Sequence, residues 1–132
     1  MKRTCIVLTM LLTVVCLTTS TALALQLIAE ARIEATTGTP VKEDLTFLGQ
    51  GFEDFVLKVQ NGEDDGSNRI SSAVVSLNSV KVLSPADFNQ NVQLLERAIV
   101  PQDLENTLAV SLRSNPGGFL HIQIFGESSL NL

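Results

Sequence analysis

The sequence lacks tryptophan and tyrosine, contains one histidine, and has cysteine only at positions 5 and 16. Its six aromatic residues are all Phe, so the Trp or Tyr platform on which many lectin-like proteins stack a sugar ring is missing. His121 has no second histidine with which to form a two-histidine metal site, and no cysteine follows Cys16. These absences argue against a zinc site and against a thiol nucleophile in the rest of the chain.

The usual motifs of catalysis are missing too. Serine is plentiful, but the sequence has no G-x-S-x-G nucleophile elbow, and Gly49-Gln50-Gly51 lacks the third glycine of a phosphate-binding loop. His121 alternates with Leu120 and Ile122, so we expect it to be a solvent-facing strand residue beside Gln123. The sequence therefore predicts a protein that is not an enzyme.

Basic residues are outnumbered by acidic ones, and two of the nine open the chain. Lys2 and Arg3 precede an uncharged apolar run from Cys5 to Leu17, and small residues in an A-x-A arrangement end at Ala24. This order is typical of a secretory signal peptide. The apolar run is shorter than the ~20 residues that a membrane span needs. We therefore predict a signal peptide over residues 1–24, with an uncleaved membrane anchor as the alternative.

The remaining residues, 25–132, suit a single domain. They carry the other seven basic residues and all fourteen acidic ones, which gives a net charge of about −7. An acidic chain without clustered Lys or Arg argues against nucleic acid and anionic lipid as partners. We expect an extracytoplasmic protein, secreted or periplasmic, that meets a membrane only during export.

Apolar and polar residues alternate with period two through most of this region. In residues 25–35 every odd position is apolar, and Ile28 is the only apolar residue on the other face. Such alternation is typical of half-buried strands. The predicted strands are residues 25–35, 45–48, 54–60, 69–77, 80–83, 92–100, 107–113 and 119–125. Asn78-Ser79 is placed as a two-residue hairpin turn, and Ser84-Pro85 as the start of one helical turn. About eight short strands separated by turns predict one all-β domain, a single antiparallel β-sandwich.

Paired carboxylates occur three times, as Glu43-Asp44, Glu53-Asp54 and Asp64-Asp65. Adjacent residues of a strand point to opposite faces of the sheet. We therefore expect the first two pairs to be solvated turn charges rather than a general acid and base acting together. The third pair lies in a loop that is rich in Asn and Gly.

That loop, NGEDDGSNR at residues 61–69, has the alternating oxygen ligands of a calcium loop. Asn61, Glu63 and Asp65 stand at alternate positions and Gly66 follows, which matches the opening D-x-[DN]-x-[DN]-G with two substitutions. The position for a bidentate Glu is occupied by Ser72, and the flanking segments are strands, which excludes an EF-hand. Two interpretations stay open: a strand-to-strand calcium site, and an acidic turn that uses Asn, Gly and Asp as any tight turn does.

Several short motifs after residue 50 resemble a known module. The pattern is N-G, an acidic loop, R-x-S-S-A-x-V-x-L-N-G, P-x-D-F-N and N-T-L-x-V. The matching residues are Asn61-Gly62, Arg69, Ser71-Ser72-Ala73, Val75, Leu77-Asn78, Pro85, Asp87-Phe88-Asn89, Asn106-Thr107-Leu108 and Val110. Over about residues 52–126, the chain thus resembles a bacterial secreted β-sandwich module found alone or within larger surface proteins.

The same motifs are also similar, more distantly, to the galactose-binding-like jelly-roll modules attached to glycosidases. That resemblance implies a jelly-roll topology and a carbohydrate ligand. The sequence departs from the pattern at the hairpin, where Ser79 replaces the usual Gly, and in its lack of Trp and Tyr.

Two functions from different classes follow from these observations. The first is a secreted, non-enzymatic binding or accessory domain for carbohydrate or another surface component, such as a cell-surface protein. The alternative is a structural subunit of an extracellular assembly, because the strand at 25–35 begins directly after the predicted cut and is followed by the turn-rich loop at 36–40. A strand in that position can pair with the open sheet edge of a neighbouring subunit, although pairing within its own sheet is the commoner outcome.

Overall fold

The computed structural model describes residues 24–37, 40–102 and 104–129. The predicted signal peptide lies outside these residues except for Ala24. The described chain forms eight strands and one short 3-10 turn. The strands are β1 (Leu25–Glu34), β2 (Val41–Leu48), β3 (Phe52–Asn61), β4 (Ser72–Leu77), β5 (Val80–Leu83), β6 (Leu94–Ala98), β7 (Glu105–Arg113) and β8 (Phe119–Ser128), and the 3-10 turn is Pro85–Asp87. No helix within these residues is long and apolar enough to cross a membrane.

The strands form two antiparallel four-stranded sheets with the order of a jelly roll. One sheet has the order β1-β8-β3-β6, and the other has the order β2-β7-β4-β5. Successive strands therefore alternate between the sheets, except in the β4–β5 hairpin. This arrangement of two interlocked Greek keys is a double-sheet jelly roll. The predicted all-β antiparallel sandwich of about eight strands is confirmed, together with its jelly-roll topology.

The core lies between the two sheets and is built from one face of each strand. In β8, Leu120, Ile122 and Ile124 are completely buried, and in β3, Leu57 and Val59 are as well. The opposing sheet contributes buried aliphatic residues at every second position of β4 and β7. These are Ala73, Val75, Leu77, Leu108, Val110 and Leu112. Burying these side chains is the main stabilising contribution, at ~1.5–3 kcal/mol for each large aliphatic side chain.

Strand β1 lies at the edge of its sheet and changes its inward face at a bulge. Its register against β8 shifts between Leu27 and Ala29. Ile28 and Ala29 both pack against the core, and Ile33 beyond them is fully buried. Leu25 and Leu27, which the alternating pattern put on one face with Ile33, are 49% and 47% exposed. The extra residue of the bulge turns them to the outer face.

Strands β2, β4 and β6 differ in length from their prediction. β2 begins at Val41 rather than Leu45, because its polar first half still pairs with β7 from the Val41–Leu112 register onward. β4 begins at Ser72 rather than Arg69, since the main chain of Ile70 is hydrogen-bonded by the side chain of Asn61 instead of by a neighbouring strand. β6 is limited to residues 94–98, and a turn at residues 90–91 lies ahead of it.

The β4–β5 hairpin has the predicted two-residue turn. Asn78 and Ser79 both have left-handed φ angles, 49° and 70°, as a type I′ turn requires. Ser is unusual at such a position, and the turn is held from outside. Asn78 accepts a hydrogen bond from the Thr107 N–H through Oδ1 (3.0 Å), and its own N–H donates to the Thr107 carbonyl (2.9 Å). These bonds attach the turn to β7 and offset the missing glycine.

Candidate functional site

The predicted calcium ligand Asn61 has a structural role. Its side chain is completely buried. Oδ1 accepts the Ile70 N–H at 2.6 Å, and Nδ2 donates to the carbonyls of Ile70 (3.0 Å) and Asn89 (3.4 Å). Asn61 therefore joins the chain ahead of β4 to the segment ahead of β6. To ligate calcium it would have to give up a short buried hydrogen bond, so we do not expect Asn61 to be a ligand.

The carboxylates of Asp64 and Asp65 in this loop accept hydrogen bonds from different partners. Asp64 accepts from the side-chain amides of Gln60 (3.2 Å) and Gln93 (3.3 Å). Asp65 accepts from the Ser67 hydroxyl (2.6 Å) and the Ser67 N–H (2.9 Å), and these bonds, the hydroxyl first, lower the pKa of Asp65 below its ordinary 3.8. Glu63 is exposed. Calcium binding by the loop stays a prediction, now resting on Glu63 and Asp65.

Arg69, the basic residue at the end of this loop, is directed toward the main chain of Gln90. The guanidinium of Arg69 lies against Gly66, and its Nη1 donates to the Gln90 carbonyl at 2.8 Å. Gln90 returns a bond from its Nε2 to the Arg69 carbonyl at 3.3 Å. This exchange joins the loop after β3 to the loop before β6. It does not bring the loop carboxylates together around a cation.

His121 lies on the outer face of the first sheet. Its Nε2 is 3.1 Å from Glu30 on the neighbouring strand β1. On the same face, Arg32 covers the ring of Phe119 at 3.6 Å from the ring centroid, which leaves Phe119 only 3% exposed. The predicted solvent-facing position of His121 is thus confirmed, while Phe119 is not part of an exposed aromatic patch.

A groove of about 450 Å³ opens where the edges of the two sheets meet, between β5 and β6. Its walls are mainly aliphatic, and its two charged lining residues, Lys81 and Arg97, are both basic. We call it the basic groove. Its lining residues are Leu77, Asn78, Val80, Lys81, Val82, Arg97, Ala98, Ile99, Val100 and Gln102. The charged residues that line this groove are thus basic, although the chain carries a net negative charge.

Arg97 is held in this groove by the short 3-10 turn. It faces Leu57 across the β3–β6 pair, so its side chain points between the sheets. Its Nη2 contacts Asp87 at 3.1 Å, and its Nη1 donates to the Glu96 carbonyl at 3.0 Å. Asp87 also accepts the Ser84 N–H at 2.8 Å, and this bond is the main cause that lowers the pKa of Asp87. A guanidinium fixed in this way still has N–H groups free to donate.

One end of the basic groove is organised by Asn106, which is completely buried. Its Oδ1 accepts the Gln102 N–H (2.7 Å) and the side-chain N–H of Asn78 (2.9 Å). Its Nδ2 donates to the carbonyls of Gln102 (2.9 Å) and Leu104 (2.7 Å). Four hydrogen bonds from one amide thus fasten the β6–β7 connection to the β4–β5 hairpin. Asn106 belongs to the N-T-L-x-V motif, but nothing in that motif indicates this role.

A second depression lies on the other side of the same wall. It has a volume of about 370 Å³ and shares Ala98, Ile99 and Val100 with the basic groove. Its charged lining residues are Glu53 and Asp54, so we call it the acidic depression. Two surface depressions, one with basic and one with acidic lining residues, therefore flank the segment Ala98, Ile99 and Val100. We call this segment the ridge.

Two residues of the acidic depression, Glu53 and Asp54, belong to a cluster of carboxylates that the sequence did not predict. Glu53, Asp54 and Glu127 each place a carboxylate oxygen within 4.8 Å of the others. Glu53 pairs with Glu127 across β3 and β8, and a register shift between Glu53 and Val56 leaves Asp54 with a left-handed φ of 51°. Glu53 and Asp54 are exposed, as expected of solvated charges, but they do not point apart, because the register shift interrupts the regular strand. This cluster of carboxylates does not by itself define a metal site.

Exposed aliphatic side chains gather around the organised end of the groove. Val80 is 69% exposed, Val100 93%, Leu104 74% and Leu48 63%. Leu48 and Leu104 are neighbours because the Gly49 N–H donates to the Leu104 carbonyl. We call the surface formed by Leu48, Val80, Val100 and Leu104 the apolar end. Clusters of exposed apolar residues rimmed by polar groups are typical of interaction surfaces.

Comparison of the chain with protein-family models, with curated proteins and with solved structures finds no match. The resemblance to secreted β-sandwich modules therefore stays a prediction. The function has to be argued from the basic groove, the acidic depression and the apolar end.

Proposed function

We propose that this protein is an extracytoplasmic, non-enzymatic binding or accessory domain for a surface component, and that the apolar end is its binding surface. The observation that carries the proposal is the exposure of Val80 and Val100 beside a groove whose charged groups are Lys81 and Arg97. Apolar walls with a few convergent polar groups are typical of binding sites. The predicted export of the chain supports a ligand outside the cytoplasm.

A protein partner fits this surface better than a carbohydrate does. The apolar end offers aliphatic contact area through Val80, Val100 and Leu104. Apolar side chains of a partner protein can bury this area, whereas the polar hydroxyl groups of a sugar gain nothing from contact with it. The residues that line the basic groove include no aromatic ring on which a sugar could stack. Of the ligands that the sequence allows, a cell-surface protein is therefore our first choice, and carbohydrate is the second.

The structural-subunit alternative is less well supported in its original form. It uses β1 as the strand that pairs with a neighbour, but β1 pairs with β8 in its own sheet from Leu25 to Glu34. Releasing β1 would expose Ile33 and uncover the buried β8 residues beneath it. The cost of uncovering one large aliphatic side chain is about 1.5–3 kcal/mol. Assembly through a surface that is already exposed requires no such release.

The test is binding of the purified protein to intact cells of the source organism and to a panel of its surface polysaccharides. Val80→Asn and Val100→Asn should each reduce binding, because they place an amide in a contact that buries aliphatic surface. Leu27→Asn is the matched control. Leu27 is also exposed (47%), but it lies on the outer face of the edge strand β1, away from the apolar end. Equal binding by all three variants would show that the apolar end is not the binding surface.

A further inference from the structure

We propose that the apolar end binds a second copy of this chain, through an interface with twofold symmetry. This inference rests on the proposed function, because it takes the apolar end to be a binding surface and names its partner. In a twofold interface the same patch is used by both copies, so the patch must be complementary to itself. The charges around the ridge between the two depressions have this property.

The ridge carries the central apolar contact. Val100 lines both depressions and is 93% exposed. On one side of it lie Lys81 and Arg97, and on the other lie Glu53 and Asp54. When a second copy is rotated by half a turn about an axis through the ridge, the basic side of each copy meets the acidic side of the other.

Three of the four charges beside the ridge, those of Lys81, Glu53 and Asp54, are not paired within the described part of one copy. Over residues 24–37, 40–102 and 104–129, the ion pairs of the structure do not include Lys81, Glu53 or Asp54. Arg97 is paired with Asp87, but its side chain remains 42% exposed. Unpaired charges of opposite sign beside exposed aliphatic residues are a surface on which a partner of matching charge gains contacts.

Pairing of sheet edges is a less suitable mode of association at this place. β5 has four residues, and its register against β4 is interrupted by a bulge. On the edge strand β6, the side chain of Arg97 points inward and donates a hydrogen bond to the Glu96 carbonyl. Short strands, bulges and inward charges are features that blunt a sheet edge. The side chains of the ridge, rather than a main-chain ladder, should therefore make the interface.

The experiment is sedimentation velocity on the purified protein from about 1 µM to about 500 µM. The buffer contains a chelator, so that no cation is held by Glu53, Asp54 and Glu127. We expect a reversible dimer whose Kd rises severalfold between about 50 mM and about 500 mM NaCl, because salt screens the charge pairs. A monomer throughout this range in low salt would overturn the inference.

Charge reversal identifies the pairing. Lys81→Glu and Glu53→Lys should each raise the Kd about tenfold or more, because each places like charges across the interface. The double variant should return the Kd to within about threefold of the wild type, since each reversed anion then meets a reversed cation. Lys42→Glu is the matched control: Lys42 is exposed on β2 and lines neither depression.

The outcomes separate this inference from the proposed function. A dimer that the Val100→Asn variant does not weaken, or one that the double charge reversal does not restore, would overturn the twofold interface. If the protein stays monomeric while Val100→Asn still abolishes cell binding, the inference fails and the proposed function stands. If neither dimerisation nor cell binding responds to Val100→Asn, both fail.

Discussion

Replacing the buried amide of Asn106 should loosen the whole end of the sandwich on which the proposed interface lies. Asn106→Ala removes two accepted and two donated hydrogen bonds, with lengths from 2.7 to 2.9 Å. A hydrogen bond contributes ~1 kcal/mol net, and a buried group left without a partner costs ~1–3 kcal/mol. Gln102 and Leu104 are exposed, so water can reach their freed main-chain groups once the loop moves.

We therefore expect the loss to stay near 3 kcal/mol, out of a total stability of ~5–15 kcal/mol. For a domain of ~100 residues, this corresponds to a fall in Tm of about 12–24 °C. Urea unfolding followed by circular dichroism measures the change directly. Asn91→Ala is the matched control, because Asn91 is exposed and its side chain takes no part in the hydrogen bonds of the described residues.

Asn106→Asp separates the two halves of the network. It keeps the size of the side chain and both acceptor bonds, but it loses the two bonds donated to the carbonyls of Gln102 and Leu104. It also brings a carboxylate close to those carbonyl oxygens. We expect it to be less stable than the wild type by more than 1 kcal/mol. Stability within 1 kcal/mol of the wild type for both Asn106 variants would refute the reasoning.

Three further predictions concern neighbouring features. Gly49→Ala should lower the Tm and weaken dimerisation, because a Cβ at Gly49 would collide with the Gln102 carbonyl; an unchanged Tm would contradict this contact. The hydrogen bond from Ser84 lowers the pKa of Asp87, so this carboxylate stabilises the fold above its ordinary pKa of 3.8, and the stabilisation is lost as the pH falls through the lowered pKa. Asp87→Asn should therefore lower the Tm at neutral pH, with a difference from the wild type that narrows in acid; a difference that stays constant with pH would contradict it. Calcium binding by the acidic loop predicts a Tm that rises in millimolar CaCl2 and falls with chelator, a response that Asp65→Asn should reduce, and identical melting curves would rule it out.

The alternation of apolar and polar residues was sufficient to predict the fold, because in a two-sheet sandwich every second residue of a strand faces the core. β5 and the Asn78-Ser79 turn were predicted with the bounds that the structure shows. The alternating pattern did not predict the strand residues that are polar and are held in a sheet only by pairing with a neighbouring strand. The first half of β2 is polar, with three exposed residues in succession, and it is a strand because β7 offers it a partner.

Bulges account for the largest errors of the sequence analysis. A strict period of two cannot anticipate an inserted residue, and one insertion exchanges the two faces of a strand. At Ile28 the insertion turns Leu25 and Leu27 outward. Near Asp54 it brings together carboxylates that a regular strand would separate, with Glu127 added from a strand far along the chain. Local sequence contains no information on that third partner.

The two buried asparagines show why the candidate site could not be found from motifs alone. Asn61 and Asn106 bind the chain near opposite ends of β4, one through Ile70 and the other through Asn78. Each uses both ends of its amide to satisfy main-chain groups where a strand gives way to a loop, which a carboxylate or an aliphatic residue cannot do. In sequence, Asn61 followed by acidic residues resembles a metal ligand, and Asn106 resembles an ordinary turn residue. Only the partners of the amide distinguish a ligand from a loop anchor, and for each asparagine the most distant partner, Asn89 or Asn78, lies 28 positions away. The loop that Asn106 anchors is the one that presents Val100 and Leu104, so the proposed binding surface depends on a fully buried residue.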